Sequence, residues 1–347
     1  MSGQRRAFWA ILLVALIAAL GYRMYVFGER SPPKPKIAFI ASGSGPYWQA
    51  IINGAKAAAR DKNVDLRISI PEKSENLDEQ VEILSKLDLR NLDGIALSPI
   101  DAERQTQTIN EWVNRQKKVV TFDSDAPLSS RHSYVGTNNS QAGQTCALLV
   151  KEALPEGGKI VVLLANLTKA NMLDRKSGFE EWFPSDADAT DDAPPVKYEV
   201  VGYFSDDGSD EKCATIIRDK LTEHPDLACF VGMTARHGPI LLKVLRDADR
   251  LGQIKIIAFD DAEETLDGIE AGNIYATVVQ DPFQYAYDAV TTLASLCRTE
   301  TGLPIVGKGT MSVAAVPIKK RNLDDFRARL KARQQETEQQ SPKKKAD

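Results

Sequence analysis

The fold is decided by two similar stretches, Val119–Asp125 (VVTFDSD) and Ile256–Asp261 (IIAFDD). Each is a run of apolar and β-branched residues that ends in Phe-Asp and continues into further acidic residues. A continuous apolar run of this length between helical patterns is typical of a buried strand in a parallel sheet. Ligands of open α/β sheets bind beyond the carboxyl ends of such strands. The two Phe-Asp pairs therefore predict two similar lobes that face one binding cleft.

Strand and helix patterns alternate along the chain from Lys36 to Val316. Asn76, followed by Glu79, has the spacing of a capping box and predicts the start of one helix. The last strand is predicted at Ser312–Val316. Two βαβ series of similar size predict an α/β fold with two Rossmann-like, doubly wound parallel-sheet lobes.

The composition is that of an ordinary globular protein. The chain has 347 residues, of which 43% are hydrophobic and 27% charged, enough for two domains with their own cores. A net charge of -4 provides no basic field for nucleic acid, and three histidines argue against a His-rich metal centre. The cysteines are widely spaced without a CxxC motif, which favours buried thiols and leaves one disulfide as the alternative; they are Cys146, Cys213, Cys229 and Cys297.

The amino-terminal segment is predicted to be separate from the fold. Arg5-Arg6 precedes an apolar run over 7–20, the pattern of an export signal. The run extends through Phe27, if Arg23 snorkels, to about the 20 residues that span a bilayer. A cleaved signal and an uncleaved inner-membrane anchor both stay open. The Pro-rich segment 31–36 is predicted to be a linker.

Two charged segments are predicted to lie outside the packed core. Residues 184–195 contain four aspartates and predict an acidic surface loop. From Lys319 to the end the chain is highly charged and has no sustained apolar face. This tail predicts a frayed helix and disorder.

Motifs for catalysis and cofactor binding are not fulfilled. Residues 43–45 (GSG) lack the third glycine of a dinucleotide site, and the bulky residues 46–48 (PYW) follow them. Residues 157–159 (GGK) precede a strand, whereas a P-loop precedes a helix. The carboxylates of 206–210 lack the spacing of a calcium loop. Since no nucleophile is paired with a base, we expect a protein that is not an enzyme and that has no cofactor or metal.

A set of aromatic, acidic and amide residues is instead typical of binding. Tyr47 and Trp48 follow a strand and offer flat faces to a ligand such as a sugar, with core packing as the alternative for each. Asp123 and Asp260 can each accept two hydroxyl hydrogen bonds, with helix capping as the alternative. Gln280 ends a strand at the same sheet edge and adds a donor and an acceptor.

In order and spacing, these residues resemble the ribose/galactose-type periplasmic sugar-binding proteins, which have the type I solute-binding fold. The resemblance covers roughly residues 36–316. It rests on ordered landmarks: residues 45–48 (GPYW), 94–99 (GIALSP), 121–123 (TFD), 136–139 (GTNN), Arg175 before 178–179 (GF), 224–226 (HPD), 258–260 (AFD) and Gln280.

The resemblance implies ligand-binding roles for several residues. The aromatic pair that sandwiches the sugar matches Tyr47 and Trp48, and the cleft aspartate of the first lobe matches Asp123. The Phe-Asp of the second lobe matches Phe259 and Asp260. The closing glutamine of the family matches Gln280.

The resemblance is incomplete at other positions of the site. Ser124 stands where ribose-binding members have an arginine, and Asp125 beside it is a candidate to replace a polar contact. The second-lobe arginine falls at Leu173, with Arg175 and Asn171 nearby. Thr234 or His237 takes the place of an asparagine. These departures remove positive charge and amide contacts, so the resemblance does not imply ribose as the ligand.

The family fold also implies the domain organisation. The chain would cross between lobes three times, with residues 36–137 and 281–309 in the first lobe and 138–280 and 310–318 in the second. Residues 1–35 would be a signal peptide or membrane anchor with a linker, and 319–347 a charged tail. The hinge would close the lobes around the ligand.

The implied function is that of an extracytoplasmic, monomeric binding protein that delivers a monosaccharide or related polyol to an ABC permease. A membrane-tethered sugar sensor of the same fold is the alternative. A repressor of the lactose-repressor type shares the fold. The export signal, and no helix-turn-helix pattern before Lys36, argue against a repressor.

Overall fold

A computed structural model of the chain describes residues 3–27, 34–183, 198–298 and 309–340. The predicted acidic loop at 184–195 lies outside these ranges, as do residues 31–33 of the predicted linker and the end of the tail at 341–347.

Strands and helices alternate and are numbered in chain order. The strands are β1 (Lys36–Ile40), β2 (Asp65–Ser69), β3 (Gly94–Leu97), β4 (Lys118–Phe122), β5 (Ser133–Thr137), β6 (Gly158–Leu164), β7 (Tyr198–Ser205), β8 (Leu227–Gly232), β9 (Lys255–Phe259), β10 (Ala276–Val279), β11 (Gly309–Val313) and β12 (Val316–Ile318). The helices are α1 (Gly3–Phe27), α2 (Pro46–Asp61), α3 (Leu77–Ser85), α4 (Ala102–Asn114), α5 (Asn139–Ala153), α6 (Ala170–Glu180), α7 (Asp210–Glu223), α8 (His237–Asp247), α9 (Glu263–Glu270), α10 (Pro282–Arg298) and α11 (Leu323–Gln340). The predicted cap of α3 is confirmed, because the Asn76 side chain accepts a hydrogen bond from the Glu79 amide.

The strands form two six-stranded sheets with the same internal order. The first sheet runs β2-β1-β3-β4-β5-β11 and the second β7-β6-β8-β9-β10-β12. All neighbours are parallel except β12, which is antiparallel to β10. The predicted fold of two doubly wound α/β lobes is confirmed, and β4 and β9, which hold the two Phe-Asp stretches, occupy equivalent places.

The chain passes between the sheets three times, after β5, after β10 and after β11. The predicted single strand at Ser312–Val316 is wrong. Gly309–Val313 pairs with Ser133–Thr137 in the first sheet, and Val316–Ile318 pairs with β10 in the second. Residues 310–313 therefore lie with the first sheet, although the sequence placed them in the second lobe. Both strands are at sheet edges and partly exposed, so no apolar run marks which sheet each one joins.

Each sheet is packed on both faces by helices, and two close helix contacts depend on glycine. A Cβ atom on Gly54 of α2 would lie 2.1 Å from the carbonyl oxygen of Phe283 in α10. A Cβ on Gly143 of α5 would lie 2.0 Å from the carbonyl oxygen of Arg175 in α6. These helices pack backbone to backbone, and a side chain at either glycine would force them apart.

The two terminal helices differ from each other in their packing. Helix α1 contains the predicted export segment. Judged by length and hydropathy together, no helix in the described ranges qualifies as a membrane span. Helix α11 confirms the helix predicted in the tail, but one side of its first turn is packed on the second lobe. Leu323 is 2% exposed, Phe326 packs on the core of the second lobe, and Arg327 pairs with Asp267 and Glu270.

The cysteines are thiols, as the favoured prediction stated. Cys146, Cys213 and Cys229 are buried, and Cys297 is half-buried. Burial raises the pKa of the Cys146 thiol to about 12, which makes it a packing group rather than a nucleophile.

Candidate ligand-binding site

Strands β4 and β9 end in the same local structure. Asp123 and Asp260, which follow them, both have a backbone φ of 61°. The amide of Asp123 donates to the carbonyl of Val135 on β5 at 3.0 Å, and the amide of Asp260 donates to that of Val278 on β10 at 2.8 Å. Left-handed backbone is strained for a residue with a side chain and persists where neighbouring bonds enforce it. Each lobe thus holds a carboxylate at the end of its central strand by the same backbone device.

The carboxylate of Asp123 is buried and hydrogen-bonded inside the first lobe. The Tyr47 hydroxyl donates to Oδ1 at 2.7 Å, and Ser98 Oγ donates to Oδ2 at 3.0 Å. The capping alternative is wrong for Asp123, because these donors are side chains. It is also wrong for Asp260, because helix α9 begins at Glu263 and its cap residue is Ala262, with no side-chain cap bond.

The carboxylate of Asp260 is buried and accepts a hydrogen bond from Gln280. The distance between Gln280 Nε2 and Asp260 Oδ1 is 2.9 Å. Burial raises the pKa of Asp260 to about 7, although Arg175 and the Gln280 bond both favour the ionised form. The two residues predicted to meet at this edge of the second sheet therefore do so.

Arg175 organises the same end of the second lobe from within. Its side chain is buried and donates to Asn139 Oδ1 at 2.9 Å, to the Met233 carbonyl at 2.7 Å and to Gln280 Oε1 at 2.8 Å. Its guanidinium carbon lies 4.0 Å from the centre of the Phe259 ring. Arg175 therefore acts as a positioning residue that connects α5, α6 and the ends of β8 and β10.

The two aromatic residues of the site differ in their surroundings. The rings of Tyr47 and Trp48 are 5.4 Å apart in an edge-to-face arrangement. Trp48 is 6% exposed and belongs to the core of the first lobe, so the packing alternative describes its burial. Burial raises the pKa of the Tyr47 phenol, and the charges of Asp123 and Asp260 raise it further. Tyr47 is thus held by its hydrogen bond to Asp123, and its ring packs against the core of the first lobe.

The two lobes also touch through Lys169, which the sequence did not indicate, and through Asn171, which it did. Lys169, just before α6, reaches Glu75 Oε1 at 2.8 Å and Ser42 Oγ at 2.9 Å in the first lobe. Asn171 Nδ2 donates to the Asp123 carbonyl at 3.4 Å. Ser42 and Ser98 follow β1 and β3, so their place at the sheet edge was a usable signal. Lys169 and Glu75 carry no such signal, because their contact depends on how the lobes meet.

Several buried polar atoms near the two carboxylates have no hydrogen-bond partner among the described residues. They are Ser124 Oγ, Asn171 Oδ1 and Thr234 Oγ1. Buried polar atoms in folded proteins are nearly always paired. Such atoms are suited to bind the hydroxyl groups of a ligand.

Two other predicted site residues are bonded within their own lobes. The carboxylate of Asp125 accepts from Arg131 Nη2 at 2.5 Å and from Thr121 Oγ1 at 2.6 Å, and it also accepts from Arg131 Nε. The carboxylate of Asp125 is therefore taken up by its pair with Arg131 inside the first lobe. His237 Nε2 lies 2.8 Å from Asp206 Oδ2, which fixes the ring.

Asp206, His237 and Cys213 form a buried cluster of potential metal ligands, all within 4.8 Å of one another. Burial would raise the pKa of Asp206, but the His237 bond and the Arg236 charge hold it below its usual value. Burial raises the pKa of the Cys213 thiol to about 12. The Asp206 carboxylate is already paired with His237 and Arg236, and the raised pKa of Cys213 disfavours its thiolate. The cluster therefore serves to join the end of β7 to the start of α8.

A groove of about 720 Å³ reaches the site at Gln280. It is lined by residues of both lobes, including Pro46, Asp261, Gln280, Phe283 and Val316. Its lining includes Gln280 and not Asp123, so the groove reaches the site from the second-lobe side.

Known proteins share this fold over most of the chain. A family model described as a periplasmic binding protein domain matches residues 37–301. The D-ribose/D-allose-binding protein of Pseudomonas aeruginosa is 21% identical over 306 residues, which are 86% of this chain and 92% of that protein.

Two solved structures extend the similarity. An ABC transporter solute-binding protein from Burkholderia graminis, in complex with D-arabinose, has a TM-score of 0.76 at 27% identity and covers 85% of this chain and 98% of its own. A chain of the XylFII–LytSN complex has a TM-score of 0.72 at 25% identity, with 84% and 99% covered. The matched family consists of sugar-binding transport proteins rather than enzymes. The chain described here therefore belongs to the periplasmic binding protein family of type I fold, the sugar-binding components of ABC transporters.

Proposed function

We propose that this protein captures a sugar between its two lobes, closes around it by a hinge motion at the three crossings, and delivers it to an ABC permease. The observation that carries the proposal is the placement of Asp123 and Asp260 at matching strand ends, with Tyr47 bonded to Asp123 and Gln280 bonded to Asp260. The proposed contacts are Tyr47, Trp48, Asp123, Ser124, Asn171, Arg175, Thr234, Phe259, Asp260 and Gln280, with His237 in a supporting place at the start of α8.

The chemistry of these groups favours a ligand rich in hydroxyls. Ionised carboxylates accept strong hydrogen bonds from hydroxyl donors. The N–H groups of Arg175 are largely taken up by Asn139, Met233 and Gln280, so little cationic capacity is left for a ligand anion. A neutral monosaccharide or polyol therefore suits the site. The relatives named for ribose, allose or arabinose support this ligand class.

The proposed lobes follow the sheets: residues 36–137 with 281–313, and 138–280 with 316–318. We propose that this two-lobed part is monomeric and acts outside the cytoplasm, as its family does. The segment 7–27 would direct export, either as a cleaved signal or as an anchor. Amino-terminal sequencing of the protein recovered from cells distinguishes the two.

A thermal-shift screen tests the proposed function. The purified protein would be unfolded with and without monosaccharides, sugar alcohols and nucleosides, each in large excess. A ligand at 100 times its dissociation constant stabilises the folded state by about 2.7 kcal/mol and raises Tm. A rise with a sugar that is lost in Asp123→Ala and Asp260→Ala supports the proposal. No shift with any sugar contradicts it.

A second candidate is a sugar sensor that reports to a membrane partner. The similarity to a chain of the XylFII–LytSN complex favours it. Uptake of the radiolabelled sugar in cells that lack the gene separates the candidates. Lost uptake supports the transport role, whereas normal uptake with a lost transcriptional response to the sugar supports the sensor.

A further inference from the structure

The contact between Lys169 and the first lobe is more complete than any other polar contact described between the lobes. The ammonium group lies 2.8 Å from Glu75 Oε1, 2.9 Å from Ser42 Oγ and 3.7 Å from Asp123 Oδ2. It also lies 5.5 Å from the centre of the Trp48 ring. Three acceptors and an aromatic face match the three N–H donors of a lysine ammonium.

Both members of the pair are withdrawn from water in this arrangement. The side chains of Lys169 and Glu75 are 5% and 9% exposed. Removing two charges from water is unfavourable unless each finds its partner in good geometry. Because Lys169 belongs to the second lobe and Glu75 to the first, this compensation exists only when the lobes are together.

The first lobe holds its acceptors in place before Lys169 arrives. The Glu75 amide donates to the Ser42 carbonyl at 3.0 Å, and Glu75 has a φ of 62°. Glu75 is thus fixed in a strained backbone conformation at the end of β1. A Cβ atom on Gly208 of the second lobe would lie 3.1 Å from Glu75 Cβ, so the lobes fit closely at this point.

The same contact is connected to the proposed ligand carboxylate by ordered hydroxyls. Ser42 Oγ lies 3.2 Å from Ser98 Oγ, which in turn lies 3.0 Å from Asp123 Oδ2. Lysine only donates and an ionised carboxylate only accepts, so each serine must accept from the lysine side and donate toward Asp123. Lys169 therefore fixes the hydroxyl that Ser98 presents to Asp123.

We infer that Lys169 and Glu75 form the closing contact of the cleft, a cross-lobe ion pair that holds the lobes together and orients Asp123. Lys169 is a positioning residue in this inference and does not bind the sugar. The sugar-binding arm of the test below rests on the proposed function, whereas its distance arm does not.

The distance arm measures lobe closure directly. Spin labels would be attached at Leu128→Cys in the first lobe and at Thr222→Cys in the second, both exposed positions, in a Cys297→Ser background. Double electron–electron resonance between the two labels measures the separation of the lobes. Lys169→Met and Glu75→Gln should each reduce the closed population about tenfold, because each leaves one buried charge unpaired. The double variant should recover part of the closed population, since it leaves neither charge of the pair.

A matched control lies on α6, the helix that directly follows Lys169. Lys176 pairs with Glu180 within the second lobe at 2.5 Å and is partly exposed. Lys176→Met removes a lysine and an ion pair without touching the first lobe, so it should leave the distances unchanged. If Lys169→Met leaves the distances unchanged as well, or if the double variant is as open as the sum of the single effects, the inference is wrong.

The binding arm separates closure from direct contact. Dissociation constants would be measured for D-arabinose, D-ribose and D-allose. If only the closed form retains the sugar, the apparent dissociation constant rises by the same factor by which the closed population falls. Weaker binding at unchanged distances would show that Lys169 does not act through lobe closure and would overturn the inference. Should no sugar bind to the wild-type protein, the proposed function fails, and the distance arm still decides the role of Lys169.

Discussion

Asp123 and Asp260 occupy equivalent positions in the two lobes. The backbone carbonyl oxygen of each accepts a hydrogen bond from a side-chain hydroxyl on the neighbouring strand. Tyr134 donates to Asp123 at 2.9 Å, and Thr277 donates to Asp260 at 2.7 Å. Together with the shared φ of 61°, these bonds hold both strained residues rigidly. The two carboxylates differ in their hydrogen-bond partners, which are Tyr47 and Ser98 for Asp123 and Gln280 for Asp260.

Asp123→Ala and Asp260→Ala should each weaken sugar binding at least 100-fold. Each change removes hydrogen bonds to a buried charged acceptor, worth about 1.5–3 kcal/mol apiece. Isothermal titration with a sugar found in the screen measures the loss. Thermal unfolding serves as the control for folding. Retained affinity in both folded variants would show that the aspartates are structural.

Sugar binding should depend on pH through Asp260. Its pKa is about 7 in the ligand-free protein because of burial, and hydroxyl donors favour the ionised form. Affinity should therefore be highest above pH 8 and should fall by up to about tenfold per pH unit below 7. Asp260→Asn should bind weakly and without this dependence. A wild-type affinity that is flat between pH 5.5 and 8 would contradict a ligand contact at Asp260.

The stability of the ligand-free protein should also depend on pH through Asp260, but in the opposite direction to sugar affinity. Burial raises the pKa of Asp260 from the ordinary aspartate value of 3.8 to about 7, so between these pH values the folded state holds a proton that the unfolded state has lost. The contribution of Asp260 to the free energy of unfolding is therefore full below about pH 4 and declines as pH rises toward 7. Denaturant titrations of the wild type and Asp260→Asn across this range isolate the contribution. A difference between them that does not change with pH would rule it out.

Variants of Tyr47 and Trp48 should distinguish a role in ligand binding from a role in core packing. Tyr47→Phe removes the hydroxyl bonded to Asp123 and keeps the ring, so it should weaken binding with little loss of stability. Trp48→Ala removes a buried core side chain and should lower the free energy of unfolding by about 3–5 kcal/mol. Both quantities would be measured for both variants. A Trp48→Ala protein of wild-type stability would move Trp48 out of the core.

Gly54→Ala and Gly143→Ala should each destabilise the protein by about 1–3 kcal/mol or more. The added methyl would meet a backbone carbonyl of the facing helix, which cannot rotate away as a side chain does. Gln107→Ala, at an exposed position of α4, is the control and should be near neutral. Wild-type melting temperatures for both glycine variants would mean that the helices are less tightly packed than the structure shows.

The sequence by itself determined the order of strands and helices and the location of Asp123, Asp260 and Gln280 at sheet edges. These features follow from local patterns, because apolar runs report burial and the ends of parallel strands share one edge. The Asn76 cap is equally local.

Only the tertiary structure decided which polar side chains meet. It paired Asp125 with Arg131, gave β11 and β12 to different sheets and brought Lys169 to Glu75. The local sequence around a charged residue does not differ between a side chain that is solvated and one that is paired across a cleft. The difference lies in desolvation and in partners distant along the chain, and these exist only once the two lobes have folded and met.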